Sequence, residues 1–242
     1  MGWHCKATGG YDRTSQEGLD NANMIAAFLY SEGFCIDAIC ALLGNGAGES
    51  GLNPWRWEND YVPTYNEFLN WNYAQGQQHG YGLFGFTPAS SYINATNQQQ
   101  LAMYGYGPNF SDVAGLQTDG EAQTKYFAGT VETNWTHNLY NYYYDDFQGI
   151  GVNIDNFYNL TFAEYKSGQY SGGGAIPLEY LTGAFELCYE KPADWAAASS
   201  YSYRVSNAAY WYEYFEGHPP TPVVEDDDFN IMFYLKPFWK RR

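Results

Sequence analysis

The chain has 242 residues, 45% of them hydrophobic and 20% aromatic, with 25 tyrosines and a formal net charge of −16. That length suits one large domain, or a domain with a tail. The acidic balance argues against a nucleic-acid partner, since phosphate binding needs clustered Lys and Arg, and no stretch reaches the roughly 18 apolar residues of a transmembrane helix.

Residues 1–18 mix Gly, Thr, Ser and Gln and read as irregular, anchored by Trp3. A first helix is expected from Asp20 or Asn21, either a suitable cap, with Ile25, Phe28 and Leu29 on one face and Gly33 at its end. A second, buried helix runs from about Ile36 to Leu43. It leads into Gly44 to Pro54, where Gly44, Gly46, Gly48 and Gly51 surround a lone acid, Glu49. Glycine costs about 1 kcal/mol against Ala inside a helix. Such a segment is therefore chosen for close approach of a backbone or ligand rather than for helix stability. An acid on a small-residue extension of a buried helix is a candidate general acid; the plainer alternative is a glycine-rich turn with a solvated Glu.

Next, Trp55, Trp57, Tyr61, Tyr65, Trp71 and Tyr73 form either an aromatic cleft wall suited to sugar rings or a satellite hydrophobic cluster. Gln75 to Thr87 alternates glycine, polar and aromatic residues and is expected to form a hairpin-like unit. Further helices are expected over Ser90 or Ser91 to Tyr104, Gly120 to Trp135, Tyr140 to Phe147, Leu160 to Lys166, Pro177 to Glu190, and Ser199 or Ser200 to Phe215. After Gly217 the composition changes: a Pro-rich linker from His218, the acidic run Glu225 to Asp228, then an aromatic segment ending in Lys240-Arg241-Arg242. The expected organisation is a folded unit over residues 1–217 and a linker and tail over 218–242.

Cys5, Cys35, Cys40 and Cys188 include no CxxC pair, and the four histidines are scattered. Free, buried thiols are expected, with no zinc site, no cofactor and no Ser-His triad. MGWHCKATGG carries no apolar signal region.

The string GNGAGESGLNPWRWE, preceded by NMIAAFLYSEGFCIDAICALL, resembles the phage tail lysozyme family. That family's helix-ending motif reads approximately Gly-Asn-x-x-x-Glu-Ser-x-x-Asn-Pro. The resemblance continues at Tyr81 to Ser90, where the family has Gly-Tyr-Gly-Leu-x-Gln-Trp-Thr-Pro, and at Ala184 to Pro192, like its late Ala-x-Phe-x-x-x-Tyr-Glu-x-Pro. Here Gly85-Phe86 replaces the family's Gln-Trp, which removes an amide and puts substrate geometry in question. The resemblance implies a mainly α (α+β), lysozyme-like helical domain with a small β-hairpin beside the cleft.

The implied activity is cleavage of peptidoglycan glycan strands, with Glu49 as general acid. Glu58, Asp60 and Thr87 are the candidates for positioning water, each acid being equally a surface residue and Thr87 equally a helix cap. Ser50, Trp57, Tyr81, Gly82 and Phe84 are the candidate substrate contacts. A muramidase, a lytic transglycosylase and a non-catalytic tail protein with a decayed lysozyme fold all fit. The resemblance further implies a virion protein made in the host cytoplasm and acting on the bacterial wall. Residues 229–242 are a candidate contact with other tail proteins, with a surface-membrane segment or a segment folded back on the domain as alternatives. An anionic wall repels a protein of charge −16, an obstacle that delivery on a particle would remove.

Overall fold

The computed structural model describes residues 2–6, 8–60, 80–86, 119–192 and 194–221. Its frame is helical: α1 Gln16–Ser31, α2 Ile36–Glu49, α3 Asp119–Asn134, α4 Tyr140–Gly149, α5 Phe162–Ser167, α6 Leu178–Phe185 and α7 Asp194–Gly217. A five-residue π-turn, Glu186–Glu190, continues α6. Short 3-10 turns occupy Glu58–Asp60 and Ile154–Asn156.

Helix α2 is the axis of the packing, against α7, α6 and α1. Every residue from Ala38 to Gly46 is buried, as expected of a helix that is apolar on all sides. Gly44 lets α7 come close. A methyl group there would sit 2.6 Å from the Arg204 carbonyl oxygen and 2.8 Å from Ala208 Cβ. Aromatic side chains fill the remaining space: the Phe127 ring meets those of Phe34, Phe84, Phe185 and Tyr189. Buried tyrosines keep their hydroxyls bonded, Tyr165 donating to Ala38 O at 2.8 Å and Tyr143 to Pro192 O at 2.9 Å.

Several boundaries differ from the sequence expectation. Helix α1 starts earlier, because Ser15 rather than Asp20 or Asn21 is its cap, accepting from Gly18 N. Asn21 lies inside the helix, where its side chain bonds His4 and Leu52 O. Helix α2 continues to Glu49, with Ser50 as its C-cap. Helix α7 begins at Asp194, so Ser199 and Ser200 are interior residues rather than caps. Of the four cysteines, expected to be buried, Cys40 and Cys188 are, whereas Cys5 and Cys35 are half-buried, and the Cys35 sulfur caps α2.

Of the hairpin-like unit expected over Gln75 to Thr87, the described part is Gly80 to Phe86, a tight turn closed by isolated antiparallel bridges of Tyr81 with Phe86 and with Trp57. No strand longer than a bridge occurs among the described residues. Thr87, the expected helix to Tyr104, Tyr61 to Tyr73, and the segment from Pro222 onward lie outside the described residues.

Candidate active site

The glycine-rich segment holds Glu49 at the end of α2, and each neighbour in it has a task. Asn45 Nδ2 donates to Ala41 O and Thr182 O, which leaves Oδ1 to accept from Arg204 Nη1 at 2.9 Å. A methyl on Gly46 would press on Leu52 at 3.1 Å, and one on Gly48 would lie 3.4 to 3.5 Å from the Arg204 side chain. Ser50 Oγ donates to Leu83 O at 2.9 Å and lies within 3.2 Å of Gly46 O, tying the helix end to the turn. Asn53 bonds both Lys6 and Gly9 and accepts from Trp55 N, so the N-terminal segment is pinned under the motif.

The turn is placed from the other side by Gln123 of α3. Its Oε1 accepts from Leu83 N at 2.8 Å and its Nε2 donates to Pro54 O at 2.7 Å. Gly82, at φ +84°, has no room for a side chain beside that amide. Gly85, at φ +56°, faces Glu49: a methyl there would lie 2.6 Å from Glu49 Oε2.

These elements enclose a cleft of about 640 Å³ whose lining includes Glu49, Arg56, Glu58, Tyr81, Gly82, Phe84 and Gly85, together with Glu190, Lys191, Ser200 and Arg204. The volume falls in the usual range of ligand sites, about 300–1,000 Å³. The Glu49 side chain retains 27% exposure and reaches the cleft. Glu58 also borders it, with Oε2 accepting from Gly80 N at 2.9 Å. Asp60 is engaged elsewhere, by Gly9 N and Arg56 Nε, and the Gly9 N–H is the main reason its carboxyl is held below the ordinary range.

Not every candidate contact reaches the cleft. Trp57 is fully buried, its ring 4.8 Å from that of Tyr81, and is absent from the cleft wall. Trp55 is buried too. Both aromatics therefore belong to the packing beneath the site. Ser50 is buried and bonded to backbone rather than to Glu49. Tyr81, Gly82 and Phe84 do line the cleft.

The floor holds a group that the sequence reading passed over. Arg204 of α7, 4% exposed, pairs with Glu49 through Nη2, with Glu190 through Nη1, and with Glu186 through Nε at 3.0 Å. Ser200 Oγ accepts from Arg204 Nε at 3.0 Å and donates to Glu186 Oε1 at 2.9 Å. One guanidinium thus faces three carboxylates. Burial, offset in part by Arg204, pushes Glu186 up to about 7 and Glu190 well above the carboxylate range. The available signal was the pair Glu186 and Glu190, two acids four apart in an apolar run, which requires a cation from elsewhere in the fold.

A model of the phage tail lysozyme family matches residues 20–215. The chain is also similar to morphogenesis protein 1 of Bacillus phage B103, at 26% identity over 206 residues; the match takes in 84% of this chain and 41% of that protein. The chain thus spans about two-fifths of the length of this relative.

Proposed function

The chain belongs to the phage tail lysozyme family, and from that premise we propose that it cleaves the glycan strands of peptidoglycan as a muramidase, with Glu49 as the general acid. One observation carries the assignment of Glu49. It is the carboxylate of the recognised motif, it ends the central helix, and it reaches a cleft of ligand size. In the proposed reaction Glu49 delivers a proton to the leaving glycosidic oxygen as the bond to the anomeric carbon breaks. A water then adds to that carbon and gives its proton to the Glu49 carboxylate, which restores the acid. Glu58, the second acid on the cleft outside the Arg204 cluster, is proposed to hold this water. Thr87, which follows the turn directly, is a second candidate for the same task.

The family and the relative's name support the proposed setting. A tail-associated enzyme opens the wall locally during infection, and its partners would be peptidoglycan and other tail proteins, the latter through residues 229–242. Transglycosylation needs no held water and is the competing branch.

The test is wall clearing by the purified chain and by Glu49→Gln, with thermal melting of both. The Gln variant should lose activity by about 10²-fold or more at an unchanged melting temperature. A well-folded Gln variant with parental activity would remove Glu49 from the mechanism, and an inactive parent would favour a structural role. Mass spectrometry of the products separates the branches. Reducing-end muramic products support hydrolysis, whereas products lighter by one water support the transglycosylase.

A further inference from the structure

Outside the cleft, another space of about 320 Å³ lies where the N-terminal segment meets α2 and α7. Its lining includes Tyr11, Asp12, Arg13, Ala47, Tyr203 and Asn207. Its walls are fixed. Tyr11 N donates to Gly51 O at 2.8 Å, which ties the N-terminal segment to the glycine-rich motif of Glu49. Arg13 Nη1 donates to Asn207 Oδ1 at 3.0 Å, and Arg13 Cζ lies 4.6 Å from the centre of the Tyr210 ring. Tyr210 OH donates in turn to Arg13 O at 3.1 Å, so the same segment is tied to α7. A pocket whose walls are held before a ligand arrives loses little freedom on binding.

This pocket continues the cleft along one face of α7. Ala196, Ser199 and Ser200 line the cleft, and Tyr203, Ser206 and Asn207 line the pocket. Spacings of three and four put all six on one side of the helix, over about 16 Å at a rise of about 1.5 Å per residue. Across the seam, α2 gives Gly48 to the cleft and the adjacent Ala47 to the pocket. Neither has a side chain larger than a methyl, so α2 raises no wall between the two spaces. Arg204 of α7 is 4% exposed and engaged by its carboxylates, so it raises none either. The groups at the pocket are uncommitted. Tyr203 is 58% exposed, and neither its ring nor its hydroxyl has a partner among the described residues. Arg13 Nε and Nη2 and Asp12 Oδ2 make no hydrogen bond among the described residues. An exposed aromatic face beside an idle guanidinium and carboxylate suits a sugar, which offers an apolar ring face and polar hydroxyl and amide edges.

We propose that this pocket is a distal site for the glycan strand, holding sugars of the same strand whose scissile bond lies at Glu49. This inference rests on the reading of the cleft as the glycan-cleaving site. Continuity identifies the occupant: a polymer longer than the cleft must leave it along some face, and the α7 face leads into a preformed pocket. Tyr203 stacks on a ring of the strand, while Arg13 and Asp12 bond its edges. These contacts lie away from the breaking bond, so they are the same before and during the reaction. They strengthen binding of long strands and leave kcat as it is.

The experiment measures, by calorimetry, the affinity for peptide-free glycan fragments of graded length. It uses the full chain carrying Glu49→Gln, so that nothing is cleaved, alone and combined with Tyr203→Ala or Tyr203→Phe, with a melting curve for each. Fragments that span both spaces should bind about tenfold tighter than fragments that fill the cleft alone. Tyr203→Ala should abolish this gain and leave the short fragments unchanged. Tyr203→Phe should keep most of it, because the ring face survives. In the active chain, Tyr203→Ala should raise KM for long fragments about tenfold at parental kcat. An affinity that does not depend on length, or an equal loss at every length in Tyr203→Ala, would overturn the inference. So would an altered oligomeric state of Tyr203→Ala in sedimentation with the length dependence intact, which would give the surface to a second copy. A parent that clears walls but binds all lengths alike strikes this inference alone. A parent that neither clears walls nor binds any fragment strikes the proposed function as well, so the two failures are distinct.

Discussion

At Gly85 the backbone runs at φ +56°, and a methyl group added there would meet Glu49 Oε2 at 2.6 Å. The left-handed conformation alone costs an L-residue about 1–2 kcal/mol. The contact is the larger matter for activity, because the carboxylate must move or the turn must open. Gly85→Ala is expected to lower kcat by about tenfold to a hundredfold, the usual penalty for a misplaced catalytic group, with a melting point only a few degrees lower. Parental kcat in that variant would show that Glu49 does not need this wall. Gly85-Phe86 stands where the family has Gln-Trp, and a side chain at Gly85 would meet the Glu49 carboxylate in its present place. The place of Glu49 at the end of α2, facing a cleft, was legible in the sequence because its motif is local. Arg204 was not. It stands 155 positions from Glu49 in a helix of Tyr, Ser and Ala, and no local pattern marks an arginine whose partners arrive only on folding. Trp57 misled for the opposite reason: aromatics suit a sugar cleft and a core equally, and burial is decided by packing that composition does not contain.

Helices were the legible elements wherever periodicity was strong, and their ends were less so. The start of α7 lay hidden behind serines that look like caps, and Ser200 is in fact spent on Glu186 and Arg204. The end of α2 was open because its glycines disfavour helix in isolation. Tertiary contact overrides that preference, for α7 needs Gly44 bare. Gly44→Ala is expected to cost about 1–3 kcal/mol, the range for overpacking a tight core, since the Arg204 carbonyl oxygen at 2.6 Å is backbone and cannot turn aside. Denaturant unfolding of the variant measures this. A neutral result would mean that α7 slides outward freely, in which case Arg204 would not be held rigidly against Asn45 and the cluster would lose its frame.

For the molecule as a whole, the question is which part of the chain the folded unit requires. Helix α7 carries its last anchors close to its end. Trp211 and Phe215 are buried, and Tyr214 OH accepts from Asn23 of α1 at 2.9 Å. Beyond Gly217 the described contacts are few: His218 stacks on Tyr214, its N–H reaching Tyr214 O at 3.1 Å. The Pro-rich linker and acidic run that follow suit a segment that works outside the core. A chain ending at Gly217 is therefore expected to fold, to melt within a few degrees of the parent, and to cleave walls at the parental rate. It should nevertheless fail to join particles, since the aromatic, basic-ended segment at 229–242 is the proposed contact with other tail proteins. The charge supports this division. A protein of net charge −16 gains nothing from free diffusion to an anionic wall, so its efficiency in infection should depend on being carried there. Melting, wall clearing and recovery in assembled particles test the boundary together. Aggregation or a far lower melting point of the shortened chain would place the aromatic segment in the core and move the boundary past Gly217.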